Sequence, residues 1–198
     1  TPEKCAKRGL EVVDLGPGSY GAPFHDFPTA EGESFDQFKY MVQQIKERPH
    51  LKTHFISPWI PQYTIRVEGR QQKVVVCPCH GWLHIRILDN KLHLHMFQRS
   101  GDVPIGVPSN MMQYGALAMM LAQATGYEVG EYIHTISDAH IYVDQIPAVE
   151  ELIKRETFAF PTMKLNNPTP DLFAFRVEDF ELSDYESGEA MKGIPVAV

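Results

Sequence analysis

The chain is 198 residues long and 43% hydrophobic, enough apolar material for one substantial core, so a single domain over residues 1–198 is expected. Its formal net charge of −7 argues against a nucleic-acid surface, because holding a polyphosphate needs a clustered excess of Lys and Arg. No apolar run approaches a membrane span, no secretory leader pattern opens the sequence, and Cys5, Cys77 and Cys79 form no disulfide framework, which together point to a reducing cytoplasm.

Residues 1–14 carry little pattern, and Leu15 to Phe27 reads as a Gly/Pro-punctuated loop. Ser34-Phe35-Asp36-Gln37 reads as a capping box opening a helix that runs to about Arg48, with Phe35, Phe38, Met41, Val42 and Ile45 as its buried stripe and Pro49 as its stop. Leu51 to Trp59 alternates as a strand. Tyr63 to Gly69 and Lys73 to Cys77 suggest a hairpin around Gly69-Arg70-Gln71, and the run Val74-Val75-Val76 suggests a strand buried on both faces that delivers Cys79 at its end.

The clearest pattern follows. Leu83, Ile85 and Ile87 alternate with His84 and Arg86; Asp89-Asn90 makes a two-residue turn; Leu92, Leu94 and Met96 alternate with His93, His95 and Phe97. That register sets Leu83, Ile85 and Ile87 against Met96, Leu94 and Leu92, and on the other face puts Arg86 beside His93 and His84 beside His95. It also folds Arg99 back towards Cys79, and a guanidinium beside a thiol favours the thiolate, the nucleophilic form.

Pro108 opens a helix, apolar almost all round, that ends near Thr125 with Gly126 as its stop. Glu131 to Val143 reads as a strand with His140 and Tyr142 on one face, Gln145 to Arg155 as a surface helix, and Thr157 to Leu165 and Phe173 to Phe180 as further strands before a turn at Asp184-Tyr185. These elements give an α+β fold: a mixed sheet packed on a long buried helix. The crowding of Cys77, Cys79 and His80 near His84, His93 and His95 opens a zinc reading, but C-x-C does not match the C-x-x-C knuckle, and no metal is expected.

Three motifs in order carry a family resemblance: Pro78-Cys79-His80; Gln98-Arg99-Ser100 with Asp102, Gly106, Pro108 and Asn110 behind it; and Asp138-Ala139-His140-Ile141-Tyr142. From about Leu15 to Val198 the chain resembles the thymidylate synthase family, which includes the pyrimidine-nucleotide hydroxymethylases. The resemblance implies one-carbon transfer from methylene-tetrahydrofolate to C5 of a pyrimidine mononucleotide, in a homodimer built sheet to sheet. It implies Cys79 as the nucleophile that adds to C6, Tyr20 as the group that helps remove the C5 proton, and Asp102 as a catalytic and pterin-binding carboxylate. Gln98, Arg99, Ser100, Asn110, His140 and Tyr142 would bind the nucleotide, while Ile105, Gly106, Tyr185 and Val198 would line the folate site. Lys52 and Thr53 stand where the family places two arginines that reach the partner subunit's substrate phosphate; a lysine keeps the charge but not the bidentate fork.

An Asn at position 110 goes with uracil in the family, so methylation of dUMP is the first expectation. Departures at Phe24-His25, Lys52-Thr53, Ser109 and Asp144 keep hydroxymethylation of dUMP, dCMP or CMP open, and a non-catalytic relative is a further alternative. The family also carries a phosphate arginine, a catalytic glutamate and folate-side tryptophans on an earlier segment that nothing in these residues matches.

Overall fold

A computed structural model of the chain describes residues 1–196, so Val198, expected near the folate, lies outside the described residues. In chain order the elements are α1 (Pro2–Ala6), α2 (Gly21–His25), β1 (Phe27–Pro28), β2 (Ser34–Phe35), α3 (Gln37–Glu47), β3 (Phe55–Ile56), α4 (Pro61–Thr64), β4 (Trp82–Leu88), β5 (Lys91–Asp102), α5 (Gly106–Thr125) and β6 (Glu128–His140). A 3₁₀ turn (Val143–Gln145), α6 (Ile146–Leu152), β7 (Thr162–Leu165) and β8 (Phe180–Ser183) complete the chain. The central sheet has the order β3-β4-β5-β6, antiparallel except for the parallel pair β5–β6, and two small antiparallel pairs, β1–β2 and β7–β8, lie apart from it. No described helix is long and apolar enough to cross a membrane.

The β4–β5 hairpin has the register its alternation dictates: Leu83 faces Met96, His84 faces His95, Ile85 faces Leu94, Arg86 faces His93 and Ile87 faces Leu92. Asp89 (φ 50°) and Asn90 (φ 61°) both take the left-handed conformation that a two-residue hairpin turn requires and that Asp and Asn tolerate. A parallel partner for β5 needs a crossover, and α5 supplies it. Where the β5–β6 register shifts between Leu92 and Leu94, the facing residue is Gly130; a Cβ there would lie 2.8 Å from the Leu92 carbonyl oxygen and 2.9 Å from the His93 ring. That close approach admits only glycine.

The core lies on one face of the sheet. Leu83, Ile85, Leu92, Leu94 and Met96 are fully buried beneath Phe38, Met41 and Ile45 of α3 and Tyr114, Ala118, Leu121 and Ala122 of α5. Two helices rather than one thus cover this face, and α5 buries one stripe only: Met111 and Met112 face away and are exposed.

Other expectations are corrected. Helix α3 is capped by Asp36, whose Oδ1 accepts the Lys39 N–H at 2.8 Å, because Ser34 and Phe35 are used in β2. Helix α5 begins at Gly106, with Pro108 inside the first turn where a missing N–H costs nothing. The strand expected over Leu51–Trp59 shrinks to β3, since its first half closes two turns, Leu51 N–H to Arg48 O and Phe55 N–H to Thr53 O. The hairpin expected over Tyr63–Cys77 does not form. Pro61 starts α4 there, and residues 73–75, bent at Lys73 and Val75, bond to Tyr63 and to the loop at Leu15 and Gly18 instead of to a strand, leaving Val76 exposed. Residues 172–179 form two 3₁₀ turns because the carboxylates of Asp171 and Asp179 accept the N–H groups of Phe173 and Arg176, an alternative to a strand ladder. Only residues 162–165 of the strand expected from Thr157 pair, and they pair with β8.

Candidate active site

Cys79 lies on the extended segment just before β4, and Arg99 of β5 clamps that segment at several points. Its backbone N–H donates to the Cys79 carbonyl at 2.8 Å, Nε donates to the Pro78 carbonyl at 2.7 Å, and Nη2 donates to the Cys77 carbonyl at 3.1 Å. The same Nη2 stands 3.4 Å from Cys79 Sγ. The guanidinium is thus fixed by two main-chain oxygens and aimed at the thiol, with the Trp59 ring centroid 5.7 Å away. The hairpin register delivers this contact, as expected from the alternation alone.

Tyr20 closes the other side: its hydroxyl accepts the Cys79 N–H at 2.7 Å. Burial pushes the Tyr20 phenol well above its ordinary range, outweighing the N–H it accepts, so it is a neutral hydroxyl near neutrality. His80 packs its ring 4.6 Å from that of Tyr20 and bonds the Tyr114 hydroxyl through Nδ1 at 2.6 Å. Burial, with His134 adding to it, pushes the His80 imidazole down to about 4.

Beyond the thiol runs a chain of carboxamides whose polarity can be derived. Gln98 is 2% exposed, and one end of its amide lies 2.9 Å from the Ser100 carbonyl, which can only accept. That end is therefore the NH₂. It meets the Asn110 amide at 3.1 Å, so Asn110 must turn its oxygen there and keep its own NH₂ free to donate elsewhere. The other end of Gln98 is then the oxygen, which meets His134 Nε2 at 2.8 Å and requires a proton on that nitrogen. Burial pushes His134 down, which selects the neutral Nε2–H tautomer.

The parallel pairing of β5 and β6 brings Asp102 opposite His140. The His140 ring lies 5.0 Å from the Tyr142 ring and turns Nδ1 to the Asp138 carbonyl at 3.2 Å. Asp102 is held by Gln145, whose Nε2 donates to Oδ2 at 3.0 Å and Oδ1 at 3.2 Å. Ile105 caps α5 and Gly106 is its first residue; a Cβ on Gly106 would lie 3.9 Å from the Asp102 Cβ.

The structure thus brings together Cys79, Tyr20, Gln98, Arg99, Ser100 and Asn110, and beside them Asp102, Ile105, Gly106, His140 and Tyr142. It does not bring Lys52, Thr53 or Tyr185 to them. Lys52 and Thr53 are exposed ahead of β3, where the Lys52 carbonyl bonds His84 Nε2 at 3.1 Å on the sheet's open face. Tyr185 is 63% exposed beyond β8, after Asp184 at φ 58°. Among the described residues no three His, Cys, Asp or Glu side chains converge as a metal site: His84 bonds the Lys52 carbonyl and His95 bonds Thr135 Oγ1, away from the cysteines.

Sequence reasoning missed Gln145, His134, Tyr114 and Trp59. His134 was within reach, since it shares the alternation of β6 with Ile136, Asp138 and His140. Gln145 was not: placed on a surface helix by its position, it is in fact fully buried.

A mixed sheet roofed by two helices, with a thiol, a guanidinium and a polarised carboxamide chain gathered at the C-terminal half of its parallel strands, defines an α/β protein with a cysteine-centred site. The thymidylate synthase family model matches residues 7–198, and the chain belongs to that family. Among solved structures it is similar to the thermostable thymidylate synthase A from Bacillus subtilis, with a TM-score of 0.82 and 31% identity over 94% of this chain. The chain spans 65% of the length of that relative.

Proposed function

We propose that this protein carries out folate-dependent one-carbon transfer to C5 of a pyrimidine nucleotide, with methylation of dUMP as its reaction. The observation that carries the reading is the Arg99 Nη2–Cys79 Sγ contact of 3.4 Å, made by a guanidinium already fixed on the Cys77 and Pro78 carbonyls. C5 of uracil is a poor nucleophile until a thiolate adds at C6 and converts the ring to an enolate, and Arg99 supports negative charge on that sulfur. Asn110 meets the ring's O4–N3 edge. Its free NH₂ donates to O4 as charge builds there, and its oxygen, which Gln98 leaves with one lone pair, accepts N3–H. Cytosine presents the reverse pattern, an amino donor and a bare N3. Tyr20, neutral and bonded to the Cys79 N–H, helps pass on the C5 proton as a hydroxyl relay.

Ser100 and Arg99 would receive the phosphate, and His140 and Tyr142 the sugar. Methylene-tetrahydrofolate, when bound, supplies the one-carbon unit. The residues present fit its pterin: Asp102 offers a carboxylate between β6 and the side-chain-free Gly106, with Ile105 beside it. Tyr185, assigned to this site by the resemblance, lies exposed beyond β8 and takes no part in this reading.

The protein is read as a homodimer joined through the open sheet face, where Phe55 is 53% and Ile133 46% exposed. Lys52 and Thr53 border that face, which accounts for their distance from their own Cys79: their partner would be the other subunit's phosphate.

The test is mass spectrometry of the nucleotide after incubation with dUMP, UMP, dCMP or CMP plus methylene-tetrahydrofolate, with dihydrofolate followed in parallel. The expected result is a methyl gain on dUMP with stoichiometric dihydrofolate. A hydroxymethyl product with tetrahydrofolate intact would identify the alternative activity. Cys79→Ser should cut turnover by on the order of 10³-fold or more while the nucleotide still binds. If no nucleotide turns over and Cys79→Ser binds nucleotide just as wild type does, the catalytic reading fails and the protein is a binding relative.

A further inference from the structure

Gln145 is the one side chain among the described residues that hydrogen-bonds Asp102, and it also holds the C-terminal segment. Both ends of its carboxamide are engaged. Oε1 accepts the Tyr142 N–H at 3.0 Å, and Nε2 donates to the Asp102 carboxylate at 3.0 and 3.2 Å and to the Pro195 carbonyl at 2.9 Å. The orientation is forced, because Tyr142 N–H can only donate while the Pro195 carbonyl and the carboxylate can only accept. The Gln145 side chain is completely buried, so the amide itself has no water to turn to if one of these partners is lost. Three chain segments far apart in sequence meet on this amide: the end of β5, the turn after β6 and the last described residues.

We propose that Gln145 is a positioning residue that makes the orientation of Asp102 and the docking of residues 193–196 a single event. One N–H spans both carboxylate oxygens and fixes the plane of the carboxyl group, leaving the remaining lone pairs directed away from Gln145. The other N–H is available to Pro195 only when the amide holds that plane. Loss of either partner therefore frees the other. The consequence for folate rests on the proposed function: a pterin that bonds Asp102 would find the carboxylate preset only while the C-terminal segment is down, and its binding would in turn hold that segment.

The experiment uses the full chain with Gln145→Met, which keeps the volume but makes none of these bonds, Gln145→Glu, which keeps the acceptor for Tyr142 N–H but sets a carboxylate against Asp102, and Asp102→Ala. Hydrogen exchange of residues 193–196 is followed without ligand. It should quicken by about tenfold in all three variants, the effect of losing one charge-assisted or buried hydrogen bond. In the two Gln145 variants dUMP affinity should hold within about twofold, and the Kd for tetrahydrofolate in the presence of dUMP should rise by about tenfold or more. In turnover the KM for methylene-tetrahydrofolate should rise more than kcat falls. Unchanged exchange at 193–196 in Asp102→Ala or Gln145→Met overturns the proposal, as does a parallel loss of dUMP affinity, which would mean general collapse of the site. If wild-type protein binds no tetrahydrofolate, the proposed function fails on its own, and the exchange measurement still decides the coupling.

Discussion

The two faces of the central sheet share one backbone and differ in almost everything else. On the covered face Leu83, Ile85, Leu92, Leu94 and Met96 are fully buried under two helices. On the open face, where His84, Arg86, His93 and His95 stand between them, the three histidines bond across the sheet or to its edge: His84 to the Lys52 carbonyl, His95 to Thr135, and His93 through Nδ1, which accepts the Glu131 N–H at 3.2 Å. Apolar residues interrupt this polar surface at Phe55, Phe97 and Ile133. The covered face holds the fold together and keeps Arg99 in register with Cys79; the open face carries little of that load and is free to serve recognition. Alternation of side chains along a strand makes this division of labour possible at no cost in backbone.

The division can be broken from the covered side first. Leu94→Ala removes a fully buried side chain from the middle of the sheet and should cost about 2–5 kcal/mol in urea unfolding, through lost transfer energy and a cavity between β5 and the helices. A loss under about 1 kcal/mol would mean that the two helices collapse onto the gap. Next comes acid. His80, pushed down to about 4 by burial, stays neutral in the folded chain while the unfolded chain takes up a proton below its ordinary 6.5. The unfolded state binds more protons in that window, so stability present above pH 6.5 is lost as pH falls through 6.5 to about 4. His134 and His54, both lowered by burial, act in the same direction. Unfolding of His80→Gln from pH 7.5 to 4 should show a flatter acid limb than wild type; an identical limb would remove His80 from the account. The smallest effect on the subunit itself is expected from the open face. Ile133→Asp should leave the subunit's own stability within about 0.5 kcal/mol. By light scattering it should nonetheless halve the particle mass, since a charge cannot be buried in an apolar interface without a partner. A wild-type protein of subunit mass would make the open face a solvent face.

What the sequence made legible follows the same division. The hairpin was readable to the residue because period two, the Asp-Asn turn and one buried face all specify one register. The Cys79–Arg99 contact was readable with it, being a consequence of that register. Residues 51–77 were misread because short apolar runs such as Val74-Val75-Val76 have no period, and their backbone partners, Leu15, Gly18 and Tyr63, are set by the tertiary path and not by local pattern. The same holds for residues 172–179, where two aspartates cap turns in place of a strand. Gln145 was hidden for a different reason. A polar residue at the start of a helix is normally solvated, and only the meeting of β5, β6 and the C-terminal segment converts it to a buried bridge.

The Ser100 carbonyl has a consequence of another kind. It is the group from which the orientation of Gln98, Asn110 and His134 follows, and it belongs to the main chain. Every codon at position 100 encodes it. Random change at that position can alter the hydroxyl but cannot reverse the carboxamide chain, so the direction in which Asn110 points its donor is inherited with the path of β5. A library aimed at altering base preference would gain nothing from position 100 and should be spent on 98, 110 and 134.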